Sequence, residues 1–250
     1  MVSGKYSALA GAISREQAIN NISANLANIN TTGYKKSRVS FESLLSGKQQ
    51  TDKTQGINFD RIRTNFTDFS PGALKPTEDP LDVAIDGEGF FKLNGPNGLL
   101  YSRRGDFAVN GDGLLTTSSG LPVLDTSGSP INIPDIDGGK VAFGDDGTIY
   151  VLDRKDNREE VAKLAIVDIK DKSKLKKDIG TTFSLQNSAA ESPLDGNYRI
   201  IQGSIELSNV NMSAEMARLI DNQRTFETYH KLLKSYSTIS EQQDELGTIA

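Results

Sequence analysis

Two long segments without proline, one at each end of the chain, constrain the fold more than any other feature. The C-terminal segment runs from Asn211 to Gly247, and its apolar residues recur mostly at alternating steps of three and four. This spacing predicts a helix that pairs with another helix in a coiled coil. Asn211 or Ser213 is placed to cap its start, and Gly247 to follow its end. We assign these residues to its seam: Met216, Leu219, Phe226, Leu232, Tyr236 and Ile239.

The N-terminal segment, residues 5–32, has the same character and is the predicted partner. It contains glycine only at Gly11, and its apolar residues fall into two short runs. Gly33 takes the left-handed conformation at low cost, so the helix is predicted to end at Thr31-Thr32-Gly33. We therefore expect two antiparallel helices. The N-terminal seam residues are Leu9, Ile13, Ile19, Ile22, Leu26 and Ile29.

The region between the helices predicts an antiparallel β domain. From Leu81 onward, short apolar runs alternate with Asn-Gly and Asp-Gly pairs, which are typical of hairpin turns. The predicted class is α+β. Its parts are an N-terminal helix (1–34), an extended linker (35–77), a β-rich domain (78–203) and a C-terminal helix (204–250).

The end of the N-terminal helix and the linker contain three smaller features. Residues 34–38 (Tyr-Lys-Lys-Ser-Arg) are basic; they fit either a cationic last helical turn or a specific anion site, and we favour the first. Residues 46–57 are polar and predict a mobile loop. Residues 57–69 alternate in polarity and predict an extended or β segment.

Composition excludes several classes of function. A net charge of −5 argues against nucleic acid as the main partner. No apolar stretch approaches the length of a transmembrane helix, so we expect no membrane insertion. The absence of cysteine rules out disulfides and thiolate sites. The N-terminus has neither the apolar stretch nor the cleavage site of a removable secretory signal, so we do not expect one.

The residues do not predict a catalytic, cofactor or metal site. His230 is the single histidine, with no acid-and-serine arrangement around it. The Asp-Gly clusters lack the spacing of a calcium loop and are better explained as turns. Two alternatives stay open on the residues alone: a soluble adaptor with a coiled-coil stalk, and a hydrolase that uses paired carboxylates.

Four ordered motifs resemble those of the bacterial flagellar rod and hook axial proteins. The first runs from Ile22 to Lys35, the second from Leu81 to Phe91, the third from Tyr101 to Gly120 and the fourth from Ser208 to Glu227. The match is thin from about 135 to 195. The motif residues we single out are Asn25, Asn28, Thr31, Gly33, Gly87, Gly89, Phe90, Ser208, Asn209, Gln223 and Arg224.

The resemblance implies a mechanical role. Such proteins assemble into a tubular rod that crosses the periplasm and transmits torque for motility, with both terminal helices in the innermost layer. The implied partners are neighbouring copies, other rod proteins and the flagellar type III export apparatus, which removes no signal peptide. Residues 67–80 and 175–180 are most similar to the proximal-rod member, and the distal-rod member shares the main motifs. We expect the terminal helices to order only on assembly.

Overall fold

A computed structural model describes residues 2–45, 58–134, 140–152, 157–185, 191–194 and 198–247. Helix α1 (Val2–Ala27) and helix α2 (Met212–Gly247) flank the strands, in agreement with the predicted α+β class. The predicted mobile loop at 46–57 and the Asp-Gly cluster at 135–138, one of those interpreted as turns, lie outside these residues. The strands are β1 Ser37–Leu45, β2 Asn58–Thr67, β3 Leu74–Pro76, β4 Val83–Gly87, β5 Phe90–Gly95, β6 Gly98–Ser102, β7 Phe107–Val109, β8 Leu115–Thr117, β9 Lys140–Phe143, β10 Thr148–Leu152, β11 Arg158–Lys163, β12 Ile166–Ile169, β13 Leu175–Lys177, β14 Thr182–Leu185, β15 Glu191–Pro193, β16 Tyr198–Gln202 and β17 Ser204–Glu206.

The chain forms two units. The helical unit contains α1, α2 and the antiparallel pair β1–β2. The β unit contains residues 28–36 and 69–209, and therefore strands β3–β17. The region predicted as a linker, 35–77, thus contributes strands to both units.

Helix α1 ends at Ala27, earlier than the predicted end at residue 32. The next residues form a turn in which Thr31 N–H donates to Asn28 O at 3.2 Å, and Thr31 Oγ1 bonds Asn28 Oδ1 at the same distance. Asn and Thr side chains compete with the helical backbone in this way, so the helix stops before them. Gly33 does adopt the predicted left-handed conformation, with φ +66°. At the start of α2, Asn211 Oδ1 accepts from Ala214 N at 3.0 Å, as predicted for its cap.

The largest sheet of the β unit has six strands in the order β13-β14-β6-β5-β12-β15. A three-stranded sheet (β11-β10-β9) and several two-stranded pairs complete the unit, and every described pairing is antiparallel, as predicted. The main core is made of large apolar side chains from both sheets and from the pairs: Val83, Ile85, Phe91, Leu93, Leu100, Phe107, Leu115, Val123, Ile131, Ile133, Phe143, Ile149, Val151, Leu164, Ile166 and Ile200.

The Asn110–Gly113 sequence forms a tight turn. Asn110 Oδ1 accepts from the backbone N–H groups of Asp112 and Leu114, at 3.0 and 2.9 Å. Gly113 closes that turn with φ +81°, a conformation that favours glycine. The Asn110 side chain therefore accepts hydrogen bonds from the backbone of its own turn, as the hairpin interpretation requires.

Candidate assembly surface and motif cluster

The two helices of the helical unit pack antiparallel along their lengths. A methyl group at Gly4 would lie 2.8 Å from Tyr236 Oη, and one at Gly11 would lie 2.5 Å from Tyr229 Cζ. Farther along, Arg15 Nη1 donates to Asn222 Oδ1 at 3.2 Å. The contact positions rise on one helix as they fall on the other, which fixes the antiparallel direction.

Small side chains form much of the α1 face that is buried. The tyrosines of α2 fill the space above this face, because glycine has no Cβ to exclude them. Among the predicted seam residues of α1, Ile22 is buried and Ile19 and Leu26 are half-buried. The other buried residues of α1 are Ala8, Gly11, Ala12, Ser14, Ala18 and Asn25.

The remaining predicted seam residues differ in how exposed they are. On α2, Leu219, Phe226 and Tyr236 are half-buried. Ile29, which follows α1 and belongs to the β unit, is half-buried as well. Five residues are instead exposed in this single subunit, by 39 to 47%: Leu9, Ile13, Met216, Leu232 and Ile239.

Leu9, Ile13 and Met216 belong to longer stripes of exposed apolar residues. On α1 the stripe has helical steps of three and four, and on α2 it has two successive steps of four. We call these residues the exposed stripes: Tyr6, Leu9 and Ile13 on α1, with Met212, Met216 and Ile220 on α2.

Asn25, the most buried motif residue of α1, positions the start of β1. Its Nδ2 donates to Ser37 O at 2.8 Å, and its Oδ1 accepts from Ser37 N at 3.0 Å. The amide therefore pairs with the backbone much as a neighbouring strand would. This contact lies within the helical unit and joins two segments that are separated along the chain.

In the β unit, Glu206 on β17 lies at the centre of a buried charge cluster. Its Oε1 contacts Lys35 Nζ at 2.5 Å and accepts from Gly72 N at 2.8 Å. Its Oε2 lies 3.4 Å from Arg103 Nη1. The Lys35 and Glu206 side chains are each only 1% exposed, so these charges lie in a low-dielectric environment where pairing matters most.

The cations of the cluster have further partners. Lys35 Nζ also donates to Ser70 O at 2.8 Å, and Arg103 Nη2 donates to Gly87 O at 2.8 Å. Burial lowers the pKa of Arg103, while the neighbouring Glu206 acts in the opposite direction. The Arg103 guanidinium also lies 5.4 Å from the centre of the Phe90 ring, which is fully buried.

The cluster brings the four sequence motifs together within the β unit. Gly33 N donates to Glu206 O at 2.7 Å, and a methyl group on Gly33 would lie 2.5 Å from Arg104 N. Asn209 Oδ1 accepts from Lys36 N at 2.8 Å, and its Nδ2 donates to Ser70 O at 3.0 Å. The motif residues thus position the segment after α1 against β17.

The interpretation of residues 34–38 as a cationic last helical turn was wrong for Lys35. The helix has ended before this point, and Lys35 is buried in an ion pair rather than solvated. Sequence reasoning also missed Arg103 and Glu206 as partners. Their only signal was their position inside the third motif and immediately before the fourth.

Other motif residues lie away from the cluster. Gln223 and Arg224 are exposed on α2, in the helical unit. Gly89 adopts φ +117° in the β unit, and a methyl group there would lie 2.3 Å from Leu194 Cδ1. His230 is exposed and contacts the edge of Phe226, with ring centres 4.6 Å apart. No helix in the described residues is long and apolar enough to cross a membrane.

Comparison with known proteins matches these same regions. Three protein-family models fit: "Flagella basal body rod protein" over residues 6–35, "Flagellar hook protein FlgE/F/G D1 domain" over 84–151, and "Flagellar basal body rod FlgEFG protein C-terminal" over 201–246. The flagellar basal-body rod protein FlgG of Bacillus subtilis is 31% identical, over 96% of this chain and 97% of that protein. The chain belongs to the flagellar basal-body rod protein family.

Further relatives in the rod family carry the name FlgF. The flagellar basal-body rod proteins FlgF of Mesorhizobium japonicum and Rhizobium meliloti are each 30% identical, over 95% and 94% of this chain. Like its family, the chain is a structural rod protein of the basal body and not an enzyme. The hydrolase alternative is therefore wrong.

Proposed function

We propose that this chain is a subunit of the proximal rod, and that copies assemble head-to-tail into a tubular shaft that transmits torque. Helices α1 and α2 form the inner layer of this shaft. The observation that carries the proposal is the pair of exposed stripes on the helical unit, three residues on each helix. Contiguous exposed apolar residues mark surfaces that bind a partner.

The partners of the exposed stripes are the helices of neighbouring subunits, both copies of this chain and other rod proteins. A contact between two different surfaces of identical subunits forms a ring if the rotation between subunits closes and an open helix if it does not, and a shaft requires the open helix. Such an arrangement buries every stripe except those at the two ends of the shaft. The closed bundle of a soluble adaptor would instead limit assembly to a few chains.

Coiled-coil pairing of α1 with α2 is part of the proposal. The buried and half-buried residues of α2 recur at alternating steps of four and three, which is the heptad pattern of a coiled coil. Thr225, beside Phe226, is the one further half-buried residue between Glu215 and Tyr236. The recurring positions are Glu215, Leu219, Asn222, Phe226, Tyr229, Leu233 and Tyr236.

The proximal position is favoured by residues 67–80 and 175–180, which are most similar to that member. The distal rod remains the second candidate, because the Bacillus subtilis relative that matches nearly the whole chain carries the FlgG name. In either position, we propose that the subunit reaches the rod through the flagellar type III export apparatus, with no signal peptide removed.

Deletion of the gene, followed by electron microscopy of purified basal bodies, tests both the rod function and the proximal position. A shaft grows only from its end, so loss of a proximal subunit leaves basal bodies without distal rod or hook. Loss of a distal subunit leaves a short rod in place. The full chain, with an epitope inserted at the exposed Gly120 turn, should restore swimming and label the rod. Normal swimming after deletion, or an unlabelled basal body, contradicts a rod function.

A further inference from the structure

One hairpin of the β unit presents an isolated apolar residue to solvent. Ile179, at the tip between β13 and β14, is 80% exposed, more than any other large apolar side chain in the described residues. The tip is held by hydrogen bonds from Asp178 N to Thr182 O at 2.9 Å and from Thr182 Oγ1 to Ile179 O at 2.8 Å. The exposure of Ile179 therefore belongs to an ordered hairpin.

The first strand of this hairpin and the segment before it are strongly cationic. Residues 170–178 contain five lysines and two aspartates, a net charge of +3. Since the whole chain carries −5, the remainder carries −8. Lys172 pairs with Glu88 and Lys174 with Asp171, both at 3.3 Å, while Lys176 is exposed and makes no ion pair within the described residues.

Protection of a sheet edge explains only part of this composition. Strand β13 is at the edge of the six-stranded sheet, and lysines on an edge strand oppose unwanted strand pairing. An isoleucine at the tip has no such effect. The apolar Ile179 and the unpaired Lys176 instead match a surface that presents both an apolar residue and carboxylates.

The same unit contains such a surface on β3 and the turn that follows it. Leu74 is 37% exposed on this strand, and Glu78 and Asp79 are exposed immediately beyond it. Lys75 lies between Leu74 and Glu78 in sequence. Successive side chains of a strand point to opposite faces, so Lys75 lies on the opposite face from Leu74.

Glu78 has an unusual backbone conformation for this position. Its φ is +64°, and it is the one non-glycine residue with positive φ in the described part of the chain. Hydrogen bonds from Thr77 N and Glu78 N to Gly203 O, at 2.8 and 3.2 Å, hold the turn in place. Strained residues that are fixed in this way concentrate at functional surfaces.

We propose that the β13–β14 hairpin of one subunit docks onto β3 and the 78–80 turn of a second copy of this chain. Ile179 packs against Leu74, and Lys176 pairs with Glu78 or Asp79. The charge complementarity of the two surfaces sets their orientation. Because they differ, the contact extends from copy to copy and joins the β units of neighbouring subunits. The inference rests on the proposed function, which supplies the adjacent copies.

Disulfide cross-linking between two single-cysteine variants tests the contact, since the natural chain has no cysteine to interfere. Full-length Ile179→Cys and Leu74→Cys chains are co-expressed in cells that lack the natural protein, and their basal bodies are isolated and oxidised. We expect a cross-linked dimer only when both variants are present. Ile179→Cys with Leu99→Cys is the matched control, because Leu99 is 38% exposed, close to Leu74.

The outcomes separate this contact from the rod function. Basal bodies that contain the chain but yield no Ile179–Leu74 cross-link overturn the contact alone, as does a cross-link between two Ile179→Cys chains. Basal bodies that lack the chain contradict the rod function and the contact together. As a second readout, Lys176→Glu should reduce swimming, and adding either Glu78→Lys or Asp79→Lys should restore it; failure of both rescues contradicts the proposed charge pairing.

Discussion

The two units bury different kinds of side chain, although one chain forms both. The β unit encloses large aromatic and aliphatic residues together with the charge cluster of Lys35, Arg103 and Glu206. In α1, alanine, glycine and serine occupy much of the buried face, and the stripe of larger apolar residues is exposed. The β unit therefore satisfies its core within one subunit, while the helical unit leaves apolar surface for neighbours to cover.

A buried glutamate in each unit shows the same contrast. Glu206 has two buried cations and a backbone donor around it. Glu215 on α2 is equally buried, but its partner Arg218 lies at 2.8 Å with 53% of its side chain exposed. A cation that keeps its contact with water loses little when its partner is neutralised.

We expect the largest effect from Glu206→Gln, because it leaves two buried cations without a carboxylate. Removal of one partner from a buried ion pair lowers the free energy of unfolding by about 3–5 kcal/mol. Urea unfolding of the full-length chain, followed by circular dichroism, measures the loss in either unit, because helices and strands both contribute to the signal. Glu215→Gln is the matched control, with an expected loss below about 1 kcal/mol. Equal losses in the two variants would remove the distinction between the units.

Gly33→Ala should give the next largest effect. An L-residue in the left-handed conformation costs about 1–2 kcal/mol, and the added methyl group also meets backbone at Arg104. We expect a total loss of about 2 kcal/mol or more from the same unfolding measurement. Gly120→Ala provides the control, since Gly120 also has positive φ but nothing within 4 Å of a methyl group. If the two variants lose the same stability, the close approach to Arg104 has no energetic role.

Gly11→Leu should affect the helical unit without weakening the β unit. The new side chain displaces Tyr229 from its place against α1 and so separates the helices. We expect loss of swimming, with the unfolding free energy of the β unit unchanged to within about 0.5 kcal/mol. Gly11→Ala, which adds less volume and favours the helix by about 1 kcal/mol, should be the milder variant. Normal swimming of the Gly11→Leu strain would contradict the importance of this contact.

Two substitutions on the exposed stripe of α2 should change the stability of the free subunit least and impair assembly most. Met216→Asp with Ile220→Asp places two charges on an exposed stripe, so the free subunit should change by less than about 0.5 kcal/mol. Neighbouring helices can no longer cover that stripe, and swimming should be lost. Thr238→Asp, exposed on the same helix, is the control that should swim. A swimming double variant would show that the stripe is not an assembly surface.

Features that depend on local sequence were predictable. Helices α1 and α2, the Asn211 cap, the positive φ of Gly33 and the Asn110–Gly113 turn follow from residues close together in the chain. The end of α1 was missed because Asn28 and Thr31 compete with the helix, which apolar periodicity does not detect.

Long-range contacts were not predictable in the same way. Lys35 and Glu206 are 171 residues apart, and a lysine beside other basic residues gives no sign that it is buried. Apolar spacing located stripes on both helices, but it did not indicate which residues face the partner helix within the subunit. The glycine and alanine face of α1 produces no apolar signal at all.

Limited proteolysis of the purified full-length monomer, with fragments mapped by mass spectrometry, tests the central contrast most directly. We expect early cleavage within α1 and α2, since their apolar stripes are covered only in the rod. The β unit, residues 28–36 and 69–209, should resist cleavage. If α1 and α2 resist cleavage as long as the β unit does, the helical unit is already complete in a single subunit, and the account is contradicted.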